Sequence, residues 1–426
     1  MPAIAVSRDP GAPPTSSPLL ERLFAVRRKT QALARHILPE DSVVQTLPEV
    51  SPSKWHLAHT TWFFEQFVLA RDPAYRPLHP DWMVLFNSYY QTVGPQYPRA
   101  RRGLLSRPTL AEINDYRQAI EHALAELYQR HPVDAERDAV LALGIEHEQQ
   151  HQELILTDIK HVLAENPLLP QLQPAPAGAD PERAAVALRL LDGPSGPCQI
   201  GHAGQGFAFD CETPRHTVWL HPHQIANRLV TNAEFREFII DGGYQNPLLW
   251  MAEAWDLIQR QGWRRPLYWA EDLQSEFSLH GAIDLLGSRP VCHLSFFEAD
   301  AFARWAGARL PSEAEWETLA SSAPVCGHFQ EDGFWQPRPA ADDQGAALQL
   351  FGDVWEWTAS PFVHYPGYRP LPGALGEYNA KFMCGQWVLR GGSCATAASQ
   401  VRASYRNFFY PADRWQFTGL RLARDA

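Results

Sequence analysis

The sequence His147-Glu148-Gln149-Gln150-His151 lies in a stretch, residues 135–163, whose apolar positions recur with the period of an α-helix. Two histidines four residues apart lie on the same face of a helix, so their imidazoles can bind one metal ion. The rest of that face is mostly apolar, and we therefore expect both histidines to point into the protein. The same letters also match His-Glu-x-x-His, the signature of zinc metalloproteases, so the run is compatible with two kinds of metal chemistry.

More amphipathic helices are predicted upstream of this one. They cover residues 17–36, a segment that begins at Ser51-Pro52, and residues 109–129. Ser51 is suited to cap the second helix, and Thr109 with Glu112 fits a capping box at the start of the third. Together the helices predict a four-helix bundle over residues 18–165. The interior of such a bundle is where facing helices assemble metal sites.

The second helix supplies the candidates for a third metal ligand. His56 and His59 lie on its inward face, at helical spacing with Trp55 and Trp62. A single histidine in an aromatic face is more often a core residue with a satisfied hydrogen bond than a ligand. Spacing alone therefore leaves both histidines open as ligands.

A long segment without clear periodicity, residues 72–108, joins the second helix to the third. A loop of this length in a compact domain is usually functional or disordered, and its aromatic residues argue against disorder. It carries Tyr89 and Tyr90, and further on Arg99 and Arg102. Its position between the metal-binding helices predicts that it reaches the metal.

Composition and charge limit the class of function. The chain has 426 residues, which predicts two domains, and a net charge of -11, which argues against nucleic acid or an anionic membrane as a partner. We therefore expect small-molecule ligands, and the sequence leaves homo-oligomer formation open. The six cysteines form no CxxC pair, and no signal peptide or membrane-spanning run is recognisable, so we expect a cytoplasmic protein with reduced thiols.

The character of the sequence changes along the chain. Residues 1–17 are expected to form a disordered tail, and the Pro-rich residues 166–184 a linker between domains. From residue 185 to 426, short strands alternate with Gly/Pro/Asp turns and many tryptophans. Four motifs are spaced through this part: RLPSEAEWE at 309–317, GDVWEW at 352–357, RGGS at 390–393 and GLR at 419–421.

In this order the four motifs resemble those of the sulfatase-modifying-factor (formylglycine-generating enzyme) fold, a variant of the C-type lectin architecture. The helices before them, with Leu57-Ala58-His59 on one and His147 and His151 on another, resemble a DinB-type bundle. The resemblance implies an α+β chain of two domains. Formylglycine-generating enzymes use two nearby cysteines after the RGGS turn, whereas Cys394 stands alone here. A copper-dithiol oxidase is therefore disfavoured.

Because it combines both domains, this chain is similar to the non-haem iron sulfoxide synthases of ergothioneine biosynthesis. These enzymes use O2 to join a thiol to the imidazole of hercynine (trimethylhistidine). The resemblance implies that Fe(II) is the cofactor and that His59, His147 and His151 are its ligands. Three imidazoles leave open positions on an octahedral ion, which suits Fe(II) with two substrates and dioxygen.

The substrates can be assigned to candidate residues in the same way. The resemblance places Asn407, Phe408 and Trp415 beside hercynine, whose quaternary ammonium is best held by aromatic faces. Gln150, next to His151, is a candidate hydrogen-bond partner of substrate. Relatives that use γ-glutamylcysteine carry an acidic residue where Phe409 stands and an arginine near Asp413.

Both changes remove charge partners of a glutamyl group. We therefore expect cysteine, and not γ-glutamylcysteine, as the thiol donor. Its carboxylate would be held by Arg99 and Arg102, three residues apart in the long loop.

A tyrosine is expected to deliver a proton or an electron during the reaction, since a phenol is neutral at physiological pH. Tyr89 and Tyr90 are the preferred candidates because of their place in the long loop. In better-known relatives the tyrosine follows the WEWT-like segment, where Tyr365 and Tyr368 stand.

Other functions remain as alternatives. A histidine-specific (ovothiol-type) synthase or a selenium-accepting relative would share the fold. A zinc hydrolase is disfavoured, because Leu154 and Thr157 stand where the metzincin motif needs glycine and histidine. In a zinc hydrolase Glu148 would be the general base. Its position beside His147 on the helix is, however, typical of a solvated residue. A non-catalytic metal-dependent binding module is the alternative from another class.

Overall fold

The computed structural model describes residues 17–132, 134–176, 183–341 and 347–426. Of the predicted tail, residues 1–16 lie outside this range. The helices are α1 Pro18–Ala34, α2 Ser53–Phe67, α3 Trp82–Phe86, α4 Leu110–Arg130, α5 Ala135–Ala164, α6 Asn232–Ile240, α7 Ala252–Gln261, α8 Phe296–Trp305 and α9 Glu313–Ala320. The strands are β1 Leu190–Asp192, β2 Gly196–Ile200, β3 His216–Leu220, β4 His223–Ala226, β5 Ser275–Ser278, β6 Gly281–Asp284, β7 Trp355–Pro361, β8 Trp387–Arg390, β9 Asn407–Phe409, β10 Thr418–Gly419 and β11 Ala423–Asp425.

The four long N-terminal helices pack against one another. Helix α5 lies against α1 and α2, and α2 lies also against α4. Helix α2 is buried on nearly all sides, which explains why its sequence is rich in aromatic residues and poor in charge. The predicted bundle of four helices is therefore present, whereas its likeness to the DinB type stays a prediction.

The helix starts differ in part from the prediction. The capping box of Thr109 and Glu112 is confirmed at the start of α4. The predicted cap of α2 by Ser51 is wrong, because Pro52 occupies the N-cap position without a side-chain cap. Ser51 instead donates its backbone N–H to Oδ2 of Asp158 at 2.8 Å. The loop of residues 72–108 contains α3 and a 3-10 turn, Arg99–Leu104, which sequence periodicity did not show.

Glu148 is not solvated, contrary to the prediction. Its carboxylate is fully buried and accepts hydrogen bonds from Arg27 at 3.0 Å, Arg117 at 2.8 Å and Thr30 at 2.8 Å. Although burial opposes the charged form, the two guanidinium groups hold the pKa of Glu148 at about 2. An ion-paired carboxylate inside the bundle thus connects α5 with α1 and α4.

The C-terminal part consists of small sheets with helices around them. One sheet has the strand order β10-β7-β8-β9, in which β7 and β10 are parallel and the other pairs antiparallel. A second has the order β1-β4-β11, and two hairpins, β2-β3 and β5-β6, complete the strands of the described residues. Helices α8 and α9 begin with capping boxes at Ser295 and Ser312. This mixture of helix and sheet confirms the α+β class.

The two parts are joined by buried hydrogen bonds. Glu153 on α5 accepts from Trp355 at 2.8 Å and from the hydroxyls of Ser393 and Thr396, each at 2.7 Å. Within the predicted linker, the buried Leu172 donates its N–H to the carbonyl of Leu279 at 2.8 Å, so this segment packs against the C-terminal part. Residues 177–182 of the linker lie outside the described residues. The helices that the structure describes include none with the length and apolarity needed to cross a membrane.

Candidate active site

Three buried imidazoles meet where α2 faces α5. The candidate ligand atoms of His59, His147 and His151 all lie within 4.8 Å of one another. The ring of His59 is stacked between Trp55, at 4.6 Å, and Trp62, at 5.6 Å. Its Nδ1 is 2.6 Å from the carbonyl oxygen of Phe86, to which it must donate. Its Nε2 is therefore a buried lone pair, with no partner among the described residues, as a metal ligand requires.

The electrostatic surroundings keep the three imidazoles neutral. Burial, followed by the charge of His147, lowers the pKa of His59 and of His151 well below the usual value. Burial also lowers the pKa of His147 to about 3. Neutral imidazole is the form that binds a metal ion. The donor set therefore fits a divalent transition metal.

His56 does not compete with His59 as a ligand. Its Nδ1 is 2.8 Å from Nδ1 of His151, and its Nε2 is 3.0 Å from Oδ2 of Asp158. Both ring nitrogens are thus engaged with protein groups. Of the two histidines that helical spacing left open, His59 is the one whose ring nitrogen lies with those of His147 and His151.

A cavity of about 240 Å³ opens beside the histidines, between the bundle and the C-terminal part. His147 and His151 border it, while His59 lies deeper. Most of the predicted substrate and tyrosine residues border it as well. These are Tyr89, Arg99, Arg102, Gln150, Asn407, Phe408, Phe409 and Trp415.

One wall of the cavity is aromatic. Phe408 stacks on Phe362 at 4.0 Å, and Phe409 meets Trp415 edge to face at 5.8 Å. The indole N–H of Trp415 donates to Oδ1 of Asp158 at 3.1 Å, which fixes the orientation of the ring. The wall thus presents π-faces and apolar edges to a ligand.

Arg102 brings a buried positive charge to the same cavity. Its guanidinium lies 3.4 Å above the ring of Trp55 and donates to Ser51 at 2.9 Å and Ser88 at 3.2 Å. In the described residues it forms no ion pair with a carboxylate, although only 2% of its surface is exposed. Burial and the neighbouring Arg99 lower the pKa of Arg102. A buried cation without a protein counter-ion is suited to bind an anionic group of a ligand.

Arg99 occupies a different environment. It lies one turn earlier on the same 3-10 turn as Arg102, but its side chain is exposed at the rim and donates to the carbonyl of Glu49. The carboxylates of Glu49 and Asp413 also border the cavity. Burial, and then the charge of Glu49, raises the pKa of Asp413 to about 7, while the N–H of Tyr410 opposes this shift. Sequence reasoning considered Asp413 only as a position near which relatives carry an arginine, and it did not assign Glu49 to the site.

Gln150 is held between two phenols. Its Oε1 accepts from the hydroxyl of Tyr378, and its Nε2 donates to the hydroxyl of Tyr405 at 2.9 Å. The ring of Tyr378 is also 5.7 Å from that of His147. Both tyrosines border the cavity, and burial raises the pKa of each well above the usual value.

The predicted tyrosines are only partly at the site. Tyr89 borders the cavity, whereas Tyr90 is packed against Trp62 and Phe67 and is not part of the lining. Tyr365 and Tyr368 lie elsewhere in the C-terminal part. The hydroxyl of Tyr365 accepts from Arg390 at 3.0 Å, and that of Tyr368 donates to Asp210 at 2.7 Å. Tyr378 also follows the WEWT-like segment and borders the cavity next to His147, and sequence reasoning missed it.

The location of Glu148 argues against a zinc metalloprotease. Its carboxylate is held by Arg27 and Arg117 inside the bundle and does not border the cavity. A general base must lie within hydrogen-bond reach of the reacting water, directly or through one water. Glu148 cannot meet that condition here.

The C-terminal part matches a known protein family. The family model of the sulfatase-modifying factor enzyme 1-like domain matches residues 189–346 and 331–426. This match covers the C-terminal part, including the four motifs and one side of the cavity. The predicted formylglycine-generating-enzyme-like domain is therefore confirmed.

Most of the chain also matches curated proteins. It is 34% identical over 411 residues to the hercynine oxygenase of Mycolicibacterium smegmatis, covering 89% of this chain and 92% of that protein. It is 33% identical over 409 residues to the hercynine oxygenase of Mycobacterium tuberculosis, covering 89% and 92%. It is also 27% identical over 228 residues to ergothioneine biosynthesis protein 1 of Schizosaccharomyces pombe, covering 51% of this chain and 28% of that protein. The chain therefore belongs to the hercynine oxygenase family.

Proposed function

We propose that this protein uses O2 to form a C–S bond between hercynine and a thiol, cysteine, giving the hercynylcysteine sulfoxide of ergothioneine biosynthesis. One observation carries the proposal. A single cavity is bordered by two histidines of the triad, an aromatic wall and a buried arginine without a protein counter-ion. These three features match a metal centre, a quaternary ammonium and a carboxylate.

The residues present fit Fe(II). His59, His147 and His151 would hold it, since three neutral nitrogen ligands leave further positions open. When bound, Fe(II) supplies the electrons and the coordination positions with which O2 is activated beside both substrates. The protein residues then have to bind the substrates, orient them and move protons.

The aromatic wall is the part of the cavity that we propose binds hercynine. A trimethylammonium group has no N–H and is held best by π-faces, which Phe408, Phe409 and Trp415 provide. Because Trp415 is fixed by its hydrogen bond to Asp158, the wall keeps its shape before the substrate arrives. Asn407 lies at the same wall and is the candidate hydrogen-bond partner of the hercynine carboxylate.

Arg102 is the residue that we propose binds the carboxylate of the thiol donor. Its uncompensated guanidinium would form a charge-assisted pair with a carboxylate, with Arg99 adding charge at the rim. γ-Glutamylcysteine carries one more carboxylate than cysteine. Apart from Arg99, the rim holds Glu49, Asp413 and the apolar Phe409, and none of these three pairs with an anion. Cysteine is therefore the better donor.

The reaction balances with one O2. The bond between sulfur and imidazole C2 forms with loss of the C–H and S–H hydrogens, which is a two-electron oxidation. Oxidation of sulfur to the sulfoxide takes two electrons more. One oxygen atom enters the sulfoxide and the other leaves as water. A phenol at the cavity is suited to move the proton, and Tyr378 and Tyr89 are the candidates.

The same-fold alternatives differ in substrate. A histidine-specific enzyme would not need the aromatic wall for a trimethylammonium group. A selenium-accepting relative would keep the wall and change only the donor. A non-catalytic binding module would use the cavity without consuming O2.

Oxygen uptake separates these functions. Anaerobically prepared Fe(II) protein is mixed with O2 and with hercynine, cysteine, both, or histidine plus cysteine. We expect rapid uptake only when hercynine and cysteine are both present. Equal uptake with histidine favours the ovothiol-type enzyme, and no uptake in any mixture contradicts the proposal.

A further inference from the structure

A chain of hydrogen bonds leads from the triad to a buried carboxylate. Nδ1 of His151 is 2.8 Å from Nδ1 of His56, and Nε2 of His56 is 3.0 Å from Oδ2 of Asp158. All three side chains are at most 8% exposed. We infer that Asp158, acting through His56, fixes the tautomer in which His151 can bind the metal. This inference rests on the metal site proposed above.

The direction of each hydrogen bond follows from the partners of Asp158. Its Oδ2 accepts from the backbone N–H of Ser51 at 2.8 Å, and its Oδ1 accepts from the indole N–H of Trp415 at 3.1 Å. These two groups are obligate donors, so each carboxylate oxygen already acts as an acceptor. Nε2 of His56 must therefore carry the hydrogen and donate it to Oδ2.

In the tautomer with its hydrogen on Nε2, His56 has only a lone pair on Nδ1. This lone pair faces Nδ1 of His151 and requires that nitrogen to carry a hydrogen. The remaining nitrogen of His151, Nε2, is left as a lone pair. In the opposite tautomer His56 would present N–H to His151, whose Nε2 would then hold the hydrogen and could not bind a metal ion.

The same carboxylate also reaches the substrate cavity, because Trp415 forms part of its aromatic wall. Asp158 thus orients one metal ligand and one substrate-contacting ring from a single position on α5. His56 and Asp158 are positioning residues. Partners of this kind typically change metal affinity about 10- to 100-fold when they are removed.

The test measures metal binding by the full-length protein, without substrates. Co(II) is titrated into the metal-free protein and its visible absorption gives the dissociation constant. His56→Leu removes both hydrogen bonds, whereas His56→Gln places an amide oxygen toward His151 and an amide N–H toward Asp158. We expect Co(II) affinity to fall about 10- to 100-fold in His56→Leu and by less than about threefold in His56→Gln.

A second arm tests whether Asp158 acts through His56. Asp158→Ala should weaken Co(II) binding in the native background and have no further effect in His56→Leu, as expected for coupled residues. Glu153→Gln is the matched control, since it changes a buried carboxylate of α5 whose hydrogen bonds, among the described residues, go to Trp355, Ser393 and Thr396 of the C-terminal part. Its Co(II) affinity should be unchanged, and thermal melting of each metal-free variant monitors the fold.

Equal losses of Co(II) affinity in His56→Leu and His56→Gln would overturn the inference. Fully additive effects of His56→Leu and Asp158→Ala on Co(II) affinity would overturn it as well. Either result leaves the proposed function intact if the native protein binds Co(II) and alanine variants of His59, His147 and His151 do not. Failure of the native protein to bind Co(II) would instead overturn the metal site and, with it, this inference.

Discussion

The hydroxyl of Tyr378 donates a hydrogen bond to Oε1 of Gln150. Tyr378 comes from the C-terminal part, and Gln150 precedes His151 on α5. The other end of the amide donates to Tyr405 at 2.9 Å, so phenols hold both ends of Gln150. A phenol is thereby fixed beside the metal-binding face before any substrate binds.

Replacing Tyr378 by Phe should change the product more than it changes binding. The variant keeps the aromatic ring beside His147 but loses the O–H that can deliver a proton. We expect turnover to shift from C–S bond formation toward oxidation of the thiol, at least about tenfold in product ratio, within the range that proton donors contribute. Mass spectrometry of the products and titration of bound iron are the measurements.

The other tyrosines provide graded controls. Tyr89→Phe should have a smaller effect, because Tyr89 borders the cavity from the loop, and Tyr90→Phe the smallest, because Tyr90 does not border it. If Tyr90→Phe altered the product ratio as much as Tyr378→Phe, the assignment would be wrong.

Arg102→Gln should raise the KM for cysteine with little effect on the affinity for hercynine. The charged hydrogen bond that it removes is worth about 1.5–3 kcal/mol, so we expect an increase of about 10- to 100-fold. Initial rates at varied cysteine and saturating hercynine give this value. Arg99→Gln is the matched variant and should cost only a few-fold, since its side chain is exposed to solvent. A larger effect of Arg99→Gln than of Arg102→Gln would contradict this account.

The choice between thiol donors should depend on pH through Asp413. Its pKa is raised to about 7, so the carboxyl is mostly protonated below that pH and charged above it. A charged Asp413 repels γ-glutamylcysteine, which carries a net negative charge, more than the zwitterionic cysteine. We expect the ratio of kcat/KM for cysteine to that for γ-glutamylcysteine to rise several-fold from pH 6 to pH 8.

Taking a ratio removes most of the pH effect that comes from ionisation of the thiol, which both donors share. Asp413→Asn should flatten the ratio across this range. If the ratio still changed with pH in Asp413→Asn, another group would be responsible for the pH dependence.

Glu377 connects the long loop to the segment that carries Tyr378. Its carboxylate accepts from the N–H groups of Gln91 at 3.0 Å and Thr92 at 2.9 Å. Despite desolvation, Lys381 and Thr92 hold the pKa of Glu377 at about 2. Glu377→Gln replaces one acceptor oxygen by a donor, so the amides of residues 91–92 should exchange hydrogen faster, by about 3- to 10-fold, while the core helices stay protected.

Glu136→Gln is the control for this effect. Glu136 pairs with Arg71 at the surface, where an ion pair contributes little. Exchange at residues 91–92 should not change in this variant. Equal exchange in Glu377→Gln and the native protein would show that the carboxylate does not hold the loop.

Some of this architecture could be predicted from sequence because it depends on local spacing. His147 and His151 lie one helical turn apart, and the capping box at Thr109 is a three-residue pattern. The triad and the C-terminal domain were accessible through their resemblance to a family. The match of the family model to the C-terminal part supports that inference.

The remaining features depend on contacts between distant segments. Glu148 is paired with Arg27 and Arg117, which are supplied by two other helices, so its own position on α5 could not show that it is buried. His56 and His59 share one face, and their hydrogen-bond partners lie in other segments of the chain, Asp158 for the first and Phe86 for the second. Tyr378 directly follows a short 3-10 turn, and no periodicity points to it.

The product formed from hercynine and cysteine is the most direct test of the proposed reaction. Fe(II) protein is supplied with both substrates and 18O2, and the products are analysed by mass spectrometry. We predict one product that contains both substrates joined through sulfur and a single 18O atom in the sulfoxide. Recovery of unmodified hercynine together with oxidised cysteine, or of both substrates unchanged, would contradict it.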